Sequence, residues 1–157
     1  WDPLHQLAPH LDPRVRIEAV GARSLEVHEG LERRIFGIAA DQAARRRGAL
    51  AAALRSARLR AWMVWLYREP VAVARLAQGE GAAGLQGIGV VEDRRGHGYG
   101  TLITTIATRA GLATGNRVVW LSVREDNETA IGVYSRLGFE RAFSWTRWLL
   151  TEDPRRR

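Results

Sequence analysis

The chain of 157 residues contains no cysteine, which excludes disulfides, thiolate metal sites and a cysteine nucleophile. It contains no lysine either. All 24 of its basic side chains are arginine, so a P-loop, which needs a lysine on the nucleotide phosphates, is ruled out. Long apolar runs are also missing: the longest, AWMVWLY at 61–67, is far short of the roughly 20 residues that span a bilayer, and no membrane association is expected. No charged-then-apolar leader opens the chain, so a cytoplasmic protein is expected. Trp1 rather than Met comes first, which leaves open a preceding segment. The four histidines are scattered along the sequence, and no metal is implied.

What is present begins with charge. A net charge of +7 points to an anionic partner, and its sign alone does not choose among nucleic acid, an acidic protein surface and a phosphorylated small molecule. The length fits one domain over residues 1–157, with 1–13 and 152–157 as peripheral tails, and there is no internal repeat or low-complexity linker. RVRIEAV (14–20) alternates as a first strand, and two helices follow over 24–38 and 41–59, with Ser24 and Asp41 as N-caps. AWMVWLY, a turn at Arg-Glu-Pro, VAVARLA (71–77), a second turn at GEGAAG and the strand 85–91 make a three-stranded meander. The period then lengthens to that of a helix, with Ile103, Ile106, Ala107 and Ala110 on one stripe. RVVWLSV (117–123) reads as a strand buried on both faces and parallel to the one before it. A short helix over 127–137 stops at Gly138, and FERAFSWTRWLL supplies one or two last strands.

Between the third meander strand and its helix lies RRGHGYGT (94–101), three glycines in five positions. A helix start carries unpaired N–H groups and about half a positive charge. Glycines there permit left-handed angles and let a phosphate approach without meeting a Cβ. A pyrophosphate suits such a turn, although tight geometry alone would also call for glycine. The spacing G-x-G-x-G differs from the dinucleotide fingerprint G-x-G-x-x-G.

LSVREDNETAIGVYSRLGF (121–139) follows. Together the two segments resemble the GNAT superfamily of acetyl-CoA-dependent N-acetyltransferases. Arg95, Gly98 and Gly100 match its Arg/Gln-x-x-Gly-x-Gly/Ala turn, and Asn127, Ala130, Tyr134, Gly138 and Phe139 match its Asn-x-x-Ala-x-x-x-Tyr-x-x-x-Gly-Phe helix. The second segment is most similar to the bacterial ribosomal-protein-alanine acetyltransferases. The resemblance implies an α/β (α+β) fold, with a mixed, largely antiparallel sheet splayed in the middle and about four flanking helices. It implies acetyl-CoA as acetyl donor, with Ile88, Gly89, Val90 and Val91 along its pantetheine arm. The N–H groups of Gly96, His97, Gly98, Tyr99, Gly100 and Thr101 would hold the pyrophosphate, Arg95 would stand near it, and Asn127 would contact the arm. Gly87 and Gly89 suit a bulge or a close approach.

The activity implied is transfer of acetyl to a primary amine of a small molecule or protein N-terminus, by direct attack in a ternary complex. It needs a neutral amine, a stabilised oxyanion and a proton for the leaving thiolate. By family analogy the N–H of Val90 or Val91 polarises the thioester carbonyl and Tyr134 protonates the sulfur; spacing alone would make Tyr134 a core residue. The close relatives place a glutamate where this chain has Ser122, and a hydroxyl cannot collect an amine proton at neutral pH. Glu80, Glu125, Asp126, His97 and a water chain are the candidates for a base.

Trp62, Trp65 and Trp120 fall in predicted strands and read as core or half-buried. Trp145 and Trp148 fall near the hairpin that borders the acceptor site in the family. The arginines of 45–60 share helical stripes with leucines, as on a solvated helix. Glu29, Glu32 and Asp41 offer negative charge to a cationic amine. The rival class is a catalytically silent acyl-CoA-binding regulatory or interaction domain; a nucleic-acid binder is a weaker third. Many relatives pair up, so a homodimer is an open expectation.

Overall fold

The computed structural model describes residues 13–56 and 58–148. Its elements run β1 (Val15–Ala19), α1 (Leu25–Phe36), α2 (Ala40–Arg55), β2 (Leu59–Leu66), β3 (Glu69–Gln78), β4 (Ala82–Val90), a 3-10 turn (Glu92–Arg94), α3 (Tyr99–Ala113), β5 (Val118–Leu121) and α4 (Glu128–Arg136). The five strands form one sheet in sequence order. The first three pairings are antiparallel and β4–β5 is parallel, so the mixed, largely antiparallel sheet with four helices is as the resemblance implies.

Alternation in the meander sorts its side chains onto two faces. Met63, Val71, Val73, Ala74 and Leu76 are fully buried, so both faces of β2 and β3 are covered. On one face lies α3, whose Ile103 and Ala107 are buried and whose Ile106 and Ala110 pack at the margin. Gly111 lets α3 close down on the sheet: a Cβ there would stand 3.0 Å from Val119 Cγ2 and 3.3 Å from Leu76 Cδ1. Buried Thr104 and Thr105 turn their hydroxyls back to the carbonyls of Gly100 and Thr101, at 2.7 and 2.9 Å, which satisfies them inside the helix. On the other face, α1 crosses β3 and β4 and ends at Gly37, whose φ of +65 and bond to the Arg33 carbonyl form a left-handed cap.

Several details differ from the sequence reading. Asp41 lies inside the first turn of α2, which is preceded by Ala39; Ser24 does hold the N-cap position of α1, but its hydroxyl accepts from the Gly21 N–H at 3.1 Å instead of from a helix N–H. α2 stops at Arg55 because Leu59 already pairs with β3. The β2–β3 turn is Tyr67-Arg68, with Tyr67 at φ +54, while Pro70 sits within β3 opposite Trp65, next to a register shift. Of FERAFSWTRWLL, residues 139–148 form no strand, and the last two lie outside the described residues. The PRRR end also lies outside them. Trp62 is buried and Trp65 half-buried, with Arg60 and Arg16 stacked on their rings. Trp120, expected to be at least half-buried, is 49% exposed; it lies on the outermost strand, with its ring over Gly84.

Candidate active site

Strand β4 parts from β5 after a short parallel stretch. Pairing runs from Ala82 beside Val118 to Leu85 beside Leu121, where β5 ends, whereas β4 continues to Val90. On its other edge β4 stays on β3 through a bulge. Arg75 faces Gln86 but Val73 faces Gly89, so Gly87 and Ile88 share the place opposite Ala74. Gly87 adopts φ +55 there, an angle that favours glycine. The Val91 N–H donates to the Val71 carbonyl at 3.0 Å. Antiparallel alternation therefore turns the N–H and C=O of Val90 away from β3 and toward the gap. Of the two backbone donors named from sequence, Val91 is committed to the sheet.

The glycine turn stands at the end of this gap. Gly96 and Gly98 have φ of +78 and +83, and among the described residues nothing beyond their chain neighbours lies within 4 Å of a Cβ built on either. Their conformation requires glycine and the space over them is open. Leu102 makes the first intrahelical bond of α3, to the Gly98 carbonyl at 3.0 Å. No side chain caps the helix and its first turn holds no acidic residue, so the N–H groups of Tyr99, Gly100 and Thr101 are offered outward. Gly100 joins this seat to the gap, since a Cβ there would be 3.6 Å from Val90 Cγ2. Arg95 reaches back to the Val90 carbonyl (Nε–O 3.4 Å), and His97 Nδ1 lies 2.8 Å from the Arg95 carbonyl.

The other residues named from sequence are more scattered. Tyr134 on α4 is half-buried, edge-on to Phe139 at 6.0 Å; burial raises its phenol above the usual value and keeps it protonated. Asn127 caps α4, its side chain accepting from the Ala130 N–H at 3.2 Å. Ser122 is exposed just beyond β5. Glu80 lies in the turn that leads into Ala82, at the opposite end of β4 from Val90, roughly 30 Å away at about 3.3 Å per residue; it is not brought to the gap. Asp126 is gripped by Arg124 (Nε–Oδ1 2.9 Å), whose hydrogen bonds hold its carboxyl below the usual range. Glu125 is exposed and paired with Arg141 and Ser144. Trp145 and Trp148 are exposed.

A charged cluster beneath the bulge was not singled out as such. On α1, Leu25, His28, Glu32 and Ile35 form one stripe, and its two polar members are buried, His28 completely. Arg75 comes from the apolar middle of β3, Val71 to Ala77, its Nε 3.3 Å from Glu32 Oε1. Burial lowers His28 to about 4, with help from the Arg75 charge. Burial also raises Glu32, against the pull of Arg75. The sequence signal was an arginine inside VAVARLA and a His–Glu pair on an apolar helical stripe. Glu29, one turn earlier, is held by Arg47. The last turn of α1 is fastened to the mouth of the gap by Arg34, which donates to Glu69 and Asp93 at 3.0 Å each.

The element order and the sheet parted beside an open helix start define an acyltransferase-type α/β domain. The chain belongs to the acetyltransferase (GNAT) family, whose profile matches residues 49–139. Among solved structures it is similar to the aminoglycoside acetyltransferase AAC(6')-Iy in complex with a CoA bisubstrate analogue. That match has a TM-score of 0.74 and 18% identity over 87% of this chain and 98% of that one. It is also similar to the ribosomal-protein-S18-alanine N-acetyltransferase of Escherichia coli, with a TM-score of 0.69 and 22% identity over 82% and 79%. A third is AAC(6')-IG of Acinetobacter haemolyticus, with a TM-score of 0.71 and 15% identity over 88% and 99%. No curated protein matches the chain significantly in sequence. Among the described residues, no helix is long and apolar enough to cross a membrane.

Proposed function

We propose that the protein transfers an acetyl group from acetyl-CoA to a primary amine, of a small molecule or a protein N-terminus, by direct attack in a ternary complex. The observation that carries this reading is the open start of α3: three outward N–H groups under glycines without covering atoms, beside the parted strands. Those donors suit the pyrophosphate, and the free edge of β4 around Ile88 and Val90 suits an amide-bearing arm laid alongside as a strand would be. AAC(6')-Iy is known in complex with CoA, which agrees with the same use here.

Bound acetyl-CoA supplies the thioester carbonyl that the amine attacks. The Val90 N–H, aimed into the gap, is the donor for the developing oxyanion, a role typically worth about 3 kcal/mol. Tyr134, kept protonated by burial, is the proton donor to the departing sulfur. Asn127, already committed through its carbonyl oxygen to the α4 cap, has its amide N–H₂ left for the arm.

A second reading, an acyl-CoA-binding domain without turnover, draws support from Ser122 and from the ion pairs that occupy Glu125 and Asp126. Thiol release with a panel of amines separates the two. The seat itself is tested at Gly100, where alanine meets only ordinary contact. Calorimetric titration with CoA is expected to show Gly100→Ala binding near the wild-type affinity and folded Gly100→Glu weakened roughly a hundredfold, about 3 kcal/mol for lost charge-assisted hydrogen bonds. A folded Gly100→Glu variant with unchanged affinity would overturn the reading.

A further inference from the structure

Resting on the acetyl-transfer reading above, we propose that Glu32 is the proton acceptor for the incoming ammonium group, approached from the α1 face of the parted sheet.

The argument begins with the two faces of β4. Gly100, at the start of α3, packs toward the Val90 side chain, so the anion seat lies on one face. Gly87 and Gly89 present their bare Cα atoms to the other. There a Cβ on Gly87 would meet the Arg75 guanidinium at 3.0 Å, and one on Gly89 would meet Ile35 Cγ2 at 2.4 Å and Phe36 Cζ at 2.8 Å. An acceptor entering opposite the phosphates therefore meets α1, and the carboxylate that α1 brings to the bulge is Glu32.

The cluster is built but not closed on itself. Glu32 Oε1 and Arg75 Nε are within ion-pair distance, yet neither is aligned for a hydrogen bond, and both ring nitrogens of His28 lack a partner. His28 Nε2 stands 4.0 Å from Glu32 Oε1. Buried polar atoms are nearly always satisfied, because they give up water and need a replacement. Several unsatisfied atoms gathered at one spot leave hydrogen-bonding capacity for a guest. The three carboxylates named from sequence as bases are spent or distant, Asp126 on Arg124, Glu125 on Arg141 and Glu80 at the far end of β4, and Glu29 is held by Arg47.

The groups around Glu32 set its basicity. His28 and Glu29 lie on its own helix, Arg75 comes from β3 and Arg46 from α2. Burial raises the carboxyl, Arg75 and Arg46 lower it, and Glu29 raises it, with the balance above the ordinary carboxylate value. Such a group holds a proton more readily than an ordinary carboxylate does.

The protons then balance. The ammonium gives one proton to the Glu32 carboxylate, and the freed nitrogen forms the C–N bond. As the C–S bond breaks, sulfur takes the phenolic proton of Tyr134, and the remaining surplus proton on nitrogen restores that phenol. Glu32 releases its proton to solvent when the amide leaves.

The test compares wild type, Glu32→Gln and Glu32→Asp. An alanine-initiated peptide and neamine serve as acceptors, with calorimetric CoA binding and carboxyl-carbon NMR alongside. We expect unchanged CoA affinity in all three. In wild type, we expect a Glu32 carboxyl signal titrating above the ordinary carboxylate range, matched by an acid limb of kcat/KM at the same pH. In Glu32→Gln, the rate near neutrality should fall roughly a hundredfold or more, the limb should vanish and the rate should climb with the free-amine fraction; Glu32→Asp should recover part of the rate with the limb displaced. A Glu32→Gln variant with wild-type rate and profile overturns the proposal. So does a Glu32 signal titrating in the ordinary range while the limb stays above it. Wild type that binds CoA but releases no thiol with either amine overturns the acetyl-transfer reading itself.

Discussion

His28 is wholly buried beside the Arg75 guanidinium and carries a pKa of about 4 instead of 6.5. The unfolded chain therefore takes up a proton near 6.5 that the folded chain refuses until about 4. Stability is fully present above that window and is lost as pH falls through it, by roughly 3 kcal/mol if His28 acted alone. Glu32 opposes this, because its raised value makes the folded chain the better proton binder between the ordinary carboxylate value and its own. Urea unfolding followed from neutral pH down to about 4 should show a free energy that declines on acidification, and His28→Gln should flatten the decline. At this scale the sequence was only partly legible. Arg95, Gly98, Gly100 and Tyr134 were reached through the family resemblance, since spacing alone made Tyr134 a core residue, but Asn127 alone could not reveal that its carbonyl oxygen caps α4, nor Trp120 that it is on an outer strand. Glu32 was legible as negative charge for a cationic amine, but its grouping with His28 and Arg75 was not, because an amphipathic stripe conveys which way a helix faces, and not which strand residue it meets.

Between elements, α1 packs closely on β4 at Gly89. The Cβ of Gly89→Ala would stand well inside van der Waals distance of Ile35 and Phe36, at the end of α1 that Arg34 ties to Glu69 and Asp93. We expect Gly89→Ala to cost roughly 1–3 kcal/mol, read as a lowered Tm, while Gly100→Ala on the opposite face leaves Tm nearly unchanged. The meander and the α3 stripe were legible because alternation and helical periodicity are local properties. The turn assigned to Pro70 was misplaced by a local rule that tertiary pairing overrode: Leu66 pairs with Glu69, which forces Tyr67 to φ +54 and draws Pro70 into β3. The extent of β4–β5 pairing, and hence the gap, was reached through family resemblance; nothing in the composition of either strand says where they separate.

For the molecule as a whole, an excess of seven positive charges, all guanidinium, acts at a distance on an anionic cofactor. Charges screen over about 10 Å at 0.1 M salt. Raising salt from about 0.05 to about 0.5 M should therefore weaken CoA binding several-fold, chiefly by slowing association, as stopped-flow mixing would show. Gly100→Glu should remain weak at every salt concentration. Among the described residues the pairing of β5 with β4 ends at Leu85, so β5 is joined to the sheet by four paired residues, with α3 against both β5 and α4. Whatever lies in that opening becomes structural timber as well as reactant: it stitches two otherwise loosely seamed parts together, so amide protons along β5 would exchange more slowly once the seam is filled, and a spent product would leave as the seam relaxes.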